Sequence, residues 1–228
     1  MGTDKSKRPD TKTHILDVAE RLFAQNGFQR TSTRLLAQRA GVNQAAVNYH
    51  FGSKKALIEK IIERRFLPIK QLRMENLETV REAAERQGRK PEISDVLRAF
   101  IEPAFGVTER TQGERCILMM ADRAFSEPAD AIRNIFIRHF NPPFLLMLQL
   151  MKTALPGLPE EILWWRLHFV IGALVHCMRV CGTRLPVPNF SPPQVSMDSV
   201  VKLLITFVTN GMNGTYHQDN ENRLGSGS

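Results

Sequence analysis

Residues Thr31–Leu57 read TSTRLLAQRAGVNQAAVNYHFGSKKAL, and the organisation of the chain follows from this stretch. Leu35, Leu36 and Ala40 have the spacing of one short helix, with Ser32 or Thr33 as its cap. Gly41 permits a tight turn, and Asn43 is placed to cap a second short helix from Gln44 to His50. Ser53 can cap a longer helix whose apolar positions are Leu57, Ile58, Ile61, Ile62 and Phe66. In this arrangement Leu36, Ala37 and Ala40 pack against Val42 and Val47. The second short helix then shows the outside not a broad apolar face but Gln44, Ala45, Asn48 and Tyr49. Such a helix suits the major groove of duplex DNA. Gln and Asn each pair bidentately with adenine, and Ala approaches a thymine methyl. Ser32, Thr33, Tyr49, His50 and Lys54 offer hydroxyl, imidazole and ammonium donors to phosphate oxygens. The positive N-terminal end of the helix that starts at Ser53–Lys54 reinforces them.

Upstream, Ile15, Val18, Ala19, Leu22 and Phe23 form one apolar helical stripe that Gly27 ends. Taken together, Ala19–Leu22–Phe23, Gly27–Phe28, Thr33, Ala37, Ala40–Gly41–Val42, Tyr49–His50–Phe51, Lys54 and Leu57 resemble the DNA-binding domain of the tetracycline-repressor (TetR) family of transcriptional regulators. The resemblance covers about Thr13 to Ile61. It implies an all-α protein, an N-terminal helix-turn-helix domain followed by a larger helical domain for ligand binding and dimerisation. It also implies base contacts at Thr33, Arg34, Gln44, Ala45 and Asn48, with Tyr49, His50 and Lys54 on the backbone. Arg34 reads equally well as a solvated helix charge. The variant VNYHFGSKKAL, and WRLHFVIGALVH at Trp165–His176, are most similar to a branch that includes fatty-acid-responsive repressors.

Charge follows the same division. The formal net charge is +8, and residues 1–60 carry 11 Lys and Arg against 5 Asp and Glu. The excess thus lies where a polyanion is expected to bind. The expected domains are residues 1–60 for the reader, 61–217 for effector binding and dimerisation, and 218–228 as a flexible polar tail. Three cysteines do not make a disulfide scaffold. His176, Cys177 and Cys181 lack the further ligands of a metal site. No metal or cofactor is expected. The polar opening MGTDKSKRPD has no apolar run, and no stretch reaches the roughly 18 apolar residues of a membrane span. A cytoplasmic protein with no membrane partner is therefore expected. No Gly-rich phosphate loop, GxSxG elbow or HExxH motif points to an enzyme.

Downstream, helical spacing recurs near 114–125, 129–154, 159–181 and 194–211, interrupted by a proline-rich loop at 183–193. Pro68 is expected to bend or interrupt the helix begun at Ser53, and Pro91 to sit in the first turn of the next one. Methionines and aromatics on these helices suggest a pocket for a hydrophobic small-molecule effector. Met119, Met120, Phe144, Met147, Met151 and Trp164 are its candidate walls, and Arg123 and His168 its candidate polar contacts. Ordinary helix packing explains the same residues singly. The segment Leu163–Cys181 is apolar almost all round, and such a helix must be covered on every side. A homodimer interface is expected at Leu167, Ile171, Leu174 and Val175, with Val201, Leu204, Ile205 and Val208 of the last helix. Two-fold symmetry would place two readers about 34–36 Å apart on double-stranded DNA with a palindromic operator. The rival expectation is a helical adaptor, or a DNA-binding protein without an effector.

Overall fold

The computed structural model describes residues 10–106, 130–180 and 195–215. Among them every regular element is a helix: α1 Thr11–Asn26, α2 Thr33–Ala40, α3 Gln44–Phe51, α4 Lys54–Arg86, α5 Ile93–Ile101, α6 Pro103–Gly106, α7 Asp130–Ala154, α8 Glu160–Val180 and α9 Met197–Asn213. The chain is all-α, with a small N-terminal helical bundle and a larger C-terminal helical part. By contacts it forms two compact units. One joins Met1–Leu72 to Gly106–Pro142, and the other joins Arg73–Phe105 to Pro143–Ser228. Helices α4 and α7 each contribute to both units.

In the first unit the apolar stripe of α1 is buried along its length, at Ile15, Val18, Ala19, Leu22 and Phe23. It packs with Leu36, Ala37 and Ala40 of α2, Val47 and Phe51 of α3, and Leu57, Ile58, Ile61 and Ile62 of α4. Full burial of a side chain such as Ile15 or Leu36 contributes about 1.5–3 kcal/mol. Ile135 and Phe136 of α7 complete this core. The Phe136 ring meets Phe66 of α4 edge-on at 5.3 Å, and Arg138 pairs with Glu59 at 2.9 Å.

The short helices are fixed by their ends. Ser32 Oγ accepts the Leu35 amide at 3.1 Å. Asn43 Oδ1 accepts the Ala45 amide at 3.0 Å, and Ser53 Oγ accepts the Ala56 amide at 3.0 Å. Each satisfies an amide that a helix start leaves without an internal partner. Between α2 and α3, Gly41 takes a left-handed conformation at φ 63°, which a Cβ would strain. Thr31 is buried, and its hydroxyl donates to the Gly27 carbonyl at 2.8 Å.

In the second unit α9 packs against α5 and α8. The core runs through Leu97, Phe100 and Ile101 of α5, then Met147 and Met151 of α7. It continues with Leu167 and Leu174 of α8 and Val201, Leu204, Ile205 and Val208 of α9. Arg166 ties α8 to the end of α9, donating to the carbonyls of Met212 at 2.6 Å and Gly214 at 2.7 Å.

Two proline expectations change: Pro68 does not interrupt its helix, and Pro91 does not open one. Pro68 lies inside an unbroken α4. Its ring removes one N–H, so a single intrahelical bond is lost. The apolar residues on either side, Ile62 and Leu77, are fully buried and hold both halves helical. Pro91 lies outside α5, which starts at Ile93. There Pro91 is itself buried, so it packs and does not open a helix. Pro103 opens α6. The helix expected near 114–125 and the loop at 183–193 lie outside the described residues.

Candidate nucleic-acid interface

The outer face of α3 is displayed from a packed base. Val47 and Phe51 are buried beneath it, while Gln44, Ala45, Asn48 and Tyr49 are exposed. Tyr49 is 87% exposed, so it is not a packing residue, whereas Phe51 is one. The Gln44 side chain donates to Thr33 Oγ1 at 3.2 Å. This bond joins the starts of α2 and α3 and places Thr33, Gln44 and Ala45 on one continuous surface. Ser32 and Arg34 are exposed at the same end of α2. His50 is half-buried, with its ring edge-on to Tyr49 at 5.3 Å.

Lys54 has a second occupation. Its Nζ donates to the Phe28 carbonyl at 2.9 Å and lies 4.3 Å from the Phe28 ring centroid. Partial burial lowers its pKa. The ammonium therefore braces the start of α4 against the turn after α1, with two N–H groups left to donate.

A further network was not visible in the sequence. Glu20 of α1 is buried, and both Arg64 and Arg65 of α4 donate to its carboxylate. Arg64 also reaches Asp17 at 2.8 Å. Asp17 and Glu20 lie three apart beside the apolar stripe of α1, and the twin arginines stand out on α4. Those are the only sequence cues, because the partners are more than 40 residues apart.

The expected effector residues are partly brought together. Phe144, Met147 and Met151 are buried on one face of α7. The Phe144 ring meets Trp164 at 5.6 Å and His168 at 6.4 Å, and Trp164 meets His168 at 4.5 Å. Trp164 and His168 are exposed. Met119, Met120 and Arg123 lie outside the described residues. A cleft of about 310 Å³ between the end of α4 and α5 is lined by Thr79, Ala83, Arg89, Asp95, Arg98 and neighbouring residues, and by none of the expected effector residues.

The expected interface residues divide. Leu167, Leu174, Val201, Leu204, Ile205 and Val208 are buried within their own unit. Ile171 is half-buried and Val175 exposed. The most exposed large apolar residues of these two helices are their neighbours: Trp165 and Phe169 of α8, 53% and 67% exposed, and Leu203 and Phe207 of α9, 63% and 72% exposed. Gly172 and Gly211 continue these two stripes at helical spacing and have open space around them. An all-round apolar helix does not itself tell which side belongs to its own core.

Among the described residues no helix is long and apolar enough to cross a membrane, and no group of His, Cys, Asp or Glu could hold a metal ion. Known proteins match both halves of the chain. Residues 15–61 match the model of bacterial regulatory proteins of the tetR family. Residues 98–211, half of the chain, match that of the tetracyclin repressor-like C-terminal domain. The HTH-type transcriptional regulator AcrR of Shigella flexneri is 44% identical over 59 residues, 26% of this chain and 27% of that protein. The HTH-type transcriptional repressor KstR2 of Rhodococcus jostii is 36% identical over 59 residues, 26% of this chain and 29% of that protein. These matched stretches therefore span under a third of the relatives' own lengths.

The likeness of fold extends further. The TetR family regulator PfmR of Thermus thermophilus superposes over 89% of this chain and 99% of its own, with TM-score 0.55 and 16% identity. AmtR of Mycobacterium smegmatis does so over 95% and 92%, with TM-score 0.59 and 15% identity. With both its halves matched, this chain belongs to the TetR family of bacterial regulatory proteins.

Proposed function

We propose that the protein is a ligand-responsive transcriptional regulator, a repressor that binds a palindromic operator as a homodimer. The observation that carries this is the outer face of α3. A capped helix on a packed base exposes Gln44, Ala45, Asn48 and Tyr49. Gln44 and Asn48 are assigned to bases, and Ser32, Thr33, Tyr49, His50 and Lys54 to phosphates. Arg34 extends the same surface.

Residues 1–60 act as the reader and 61–217 as the controller. The second copy of the chain covers the stripes of Trp165 and Phe169 on α8 and Leu203 and Phe207 on α9. Four such large exposed apolar side chains on two helices that pack together are what an association surface needs. Two helices from each chain then make a four-helix interface. The effector is hydrophobic, a fatty acid or acyl derivative, as the similarity of VNYHFGSKKAL and WRLHFVIGALVH suggests. It acts through α4, which begins in the reader and ends in the second unit. Its effect equals its difference in affinity between the DNA-bound and released states.

Selection from random duplexes, followed by titration at several salt concentrations, tests the assignment. An enriched sequence and a steep salt slope are expected. Asn48→Ala should cost about 1–3 kcal/mol at one base pair of each half-site and relax preference there. A protein that enriches no sequence, or an Asn48→Ala variant that weakens all duplexes equally, contradicts the assignment.

A further inference from the structure

Three polar or charged residues are buried among those described: Glu20, Thr31 and Arg73. Two of them are matched by their surroundings. Glu20 receives the Arg64 and Arg65 guanidiniums, and Thr31 donates to backbone carbonyls. Arg73, on the part of α4 that belongs to the second unit, meets no carboxylate among the described residues. Its Nε donates to the Phe100 carbonyl at 2.7 Å, and its guanidinium carbon lies 3.9 Å from the Phe100 ring centroid. Phe100 is in the last turn of α5. The cation thus also faces the negative end of a helix dipole.

These contacts orient the guanidinium but occupy one of its five N–H donors. Burial pushes its pKa down to about 9, so it remains a cation at neutral pH. A buried charge without a counter-ion is costly to a fold. Other arginines of the chain are placed differently: Arg64, Arg65, Arg81, Arg89, Arg98 and Arg138 each reach a carboxylate.

We propose that Arg73 anchors the effector's anionic group, and that the effector is a monoanionic amphiphile with a carboxylate end. This rests on the reading of the chain as an effector-responsive regulator. One guanidinium balances one negative charge, which favours a carboxylate over a doubly charged phosphate ester. With Nε committed to Phe100, the edge formed by the two terminal nitrogens is left, and that edge takes a carboxylate bidentately. The core of the same unit, with Leu97, Phe100, Met147 and Met151, is apolar.

Sodium dodecanoate and 1-dodecanol, equal in chain length, are the probes, titrated calorimetrically into the full-length protein below their aggregation thresholds. Wild type is expected to bind dodecanoate at least about tenfold tighter than dodecanol. Arg73→Met should weaken dodecanoate about 10- to 100-fold and leave dodecanol unchanged. Arg73→Lys, which keeps the charge and loses the fork, should fall between. The unliganded Tm of Arg73→Met should hold or rise, because an unpaired buried charge has been replaced by an apolar chain.

A lower Tm with unchanged dodecanoate affinity would assign Arg73 to bracing α5 alone and overturn the proposal. Equal binding of acid and alcohol by wild type, or binding of neither, would also overturn it. Operator binding by the same unliganded preparation separates the two readings. If the operator is bound and neither probe is, the anion site falls and the regulator stands. If no duplex sequence is preferred, the regulator reading falls on that result alone.

Discussion

The two units differ in how complete they are as single chains. In the first, the buried carboxylate of Glu20 is held by two guanidiniums, and the buried Thr31 hydroxyl by backbone carbonyls. In the second, a buried cation has a carbonyl and a ring but no counter-ion among the described residues, and four large apolar side chains stand more than half exposed on α8 and α9. A reader must hold one geometry, because base contacts depend on fixed distances. On the function proposed above the second unit is a controller that must respond, and its unmet charge and uncovered face are where a ligand and a second copy would add free energy. Among the described residues, the buried charge of the first unit finds its counter-ions within the chain, while the buried charge of the second finds none.

The largest effect that could break this contrast is expected at Glu20. Glu20→Ala takes the carboxylate from Arg65 and leaves Arg64 with Asp17 alone. Removing one partner of a fully buried ion pair costs about 3–5 kcal/mol. Here the two arginine side chains keep 28% of their exposure, so a smaller loss of about 2–3 kcal/mol is expected on denaturant unfolding. Unchanged stability would mean that apolar packing alone holds the reader.

Next is the exposed face of the second unit. Phe207→Asp places a charge where the second copy is expected, and it should weaken the dimer by about 100-fold or more, read by sedimentation equilibrium. The helical content of each chain should be unchanged, because Phe207 takes little part in its own core. Unaltered dimerisation would move the interface to another face.

The smallest effect sharpens the picture of the first unit. His139 is half-buried, and its Nδ1 is buried without a hydrogen-bond partner. Burial, followed by the charge of Lys70, lowers its pKa below 6.5. Arg138 acts in the same sense, while Glu63 and Glu59 oppose it. The unfolded chain therefore takes up a proton before the folded one does. His139 should cost stability as pH falls through about 6.5, with the loss levelling off once the folded-state pKa is passed. His139→Gln should flatten that part of the stability profile. An equally steep profile in the variant would assign the dependence to other groups.

How far these properties could be read in advance depends on their range along the chain. Ser32, Asn43 and Ser53 act within three residues: Asn43 and Ser53 cap the helices they were expected to cap, and of Ser32 and Thr33 it is Ser32 that caps α2. Gly41 supplies the left-handed turn. The inward positions of α1 to α4 follow the three-four spacing directly. Long-range pairings were not readable. Glu20 meets arginines more than 40 residues away, and Arg73 meets a carbonyl 27 residues away. The inward and outward sides of α8 and α9 escaped for another reason. Both sides are apolar, and periodicity carries no sign when the two faces are alike. Pro68 and Pro91 show local rules giving way to packing on either side.

The central claim is that two such readers act together on DNA, and hydroxyl-radical footprinting of a selected operator tests it most directly. Expected are two protected regions related by two-fold symmetry, their centres one helical turn or a whole multiple of it apart, about 34–36 Å per turn. In Phe207→Asp both regions should fade together. A single asymmetric footprint that Phe207→Asp leaves intact would contradict the claim.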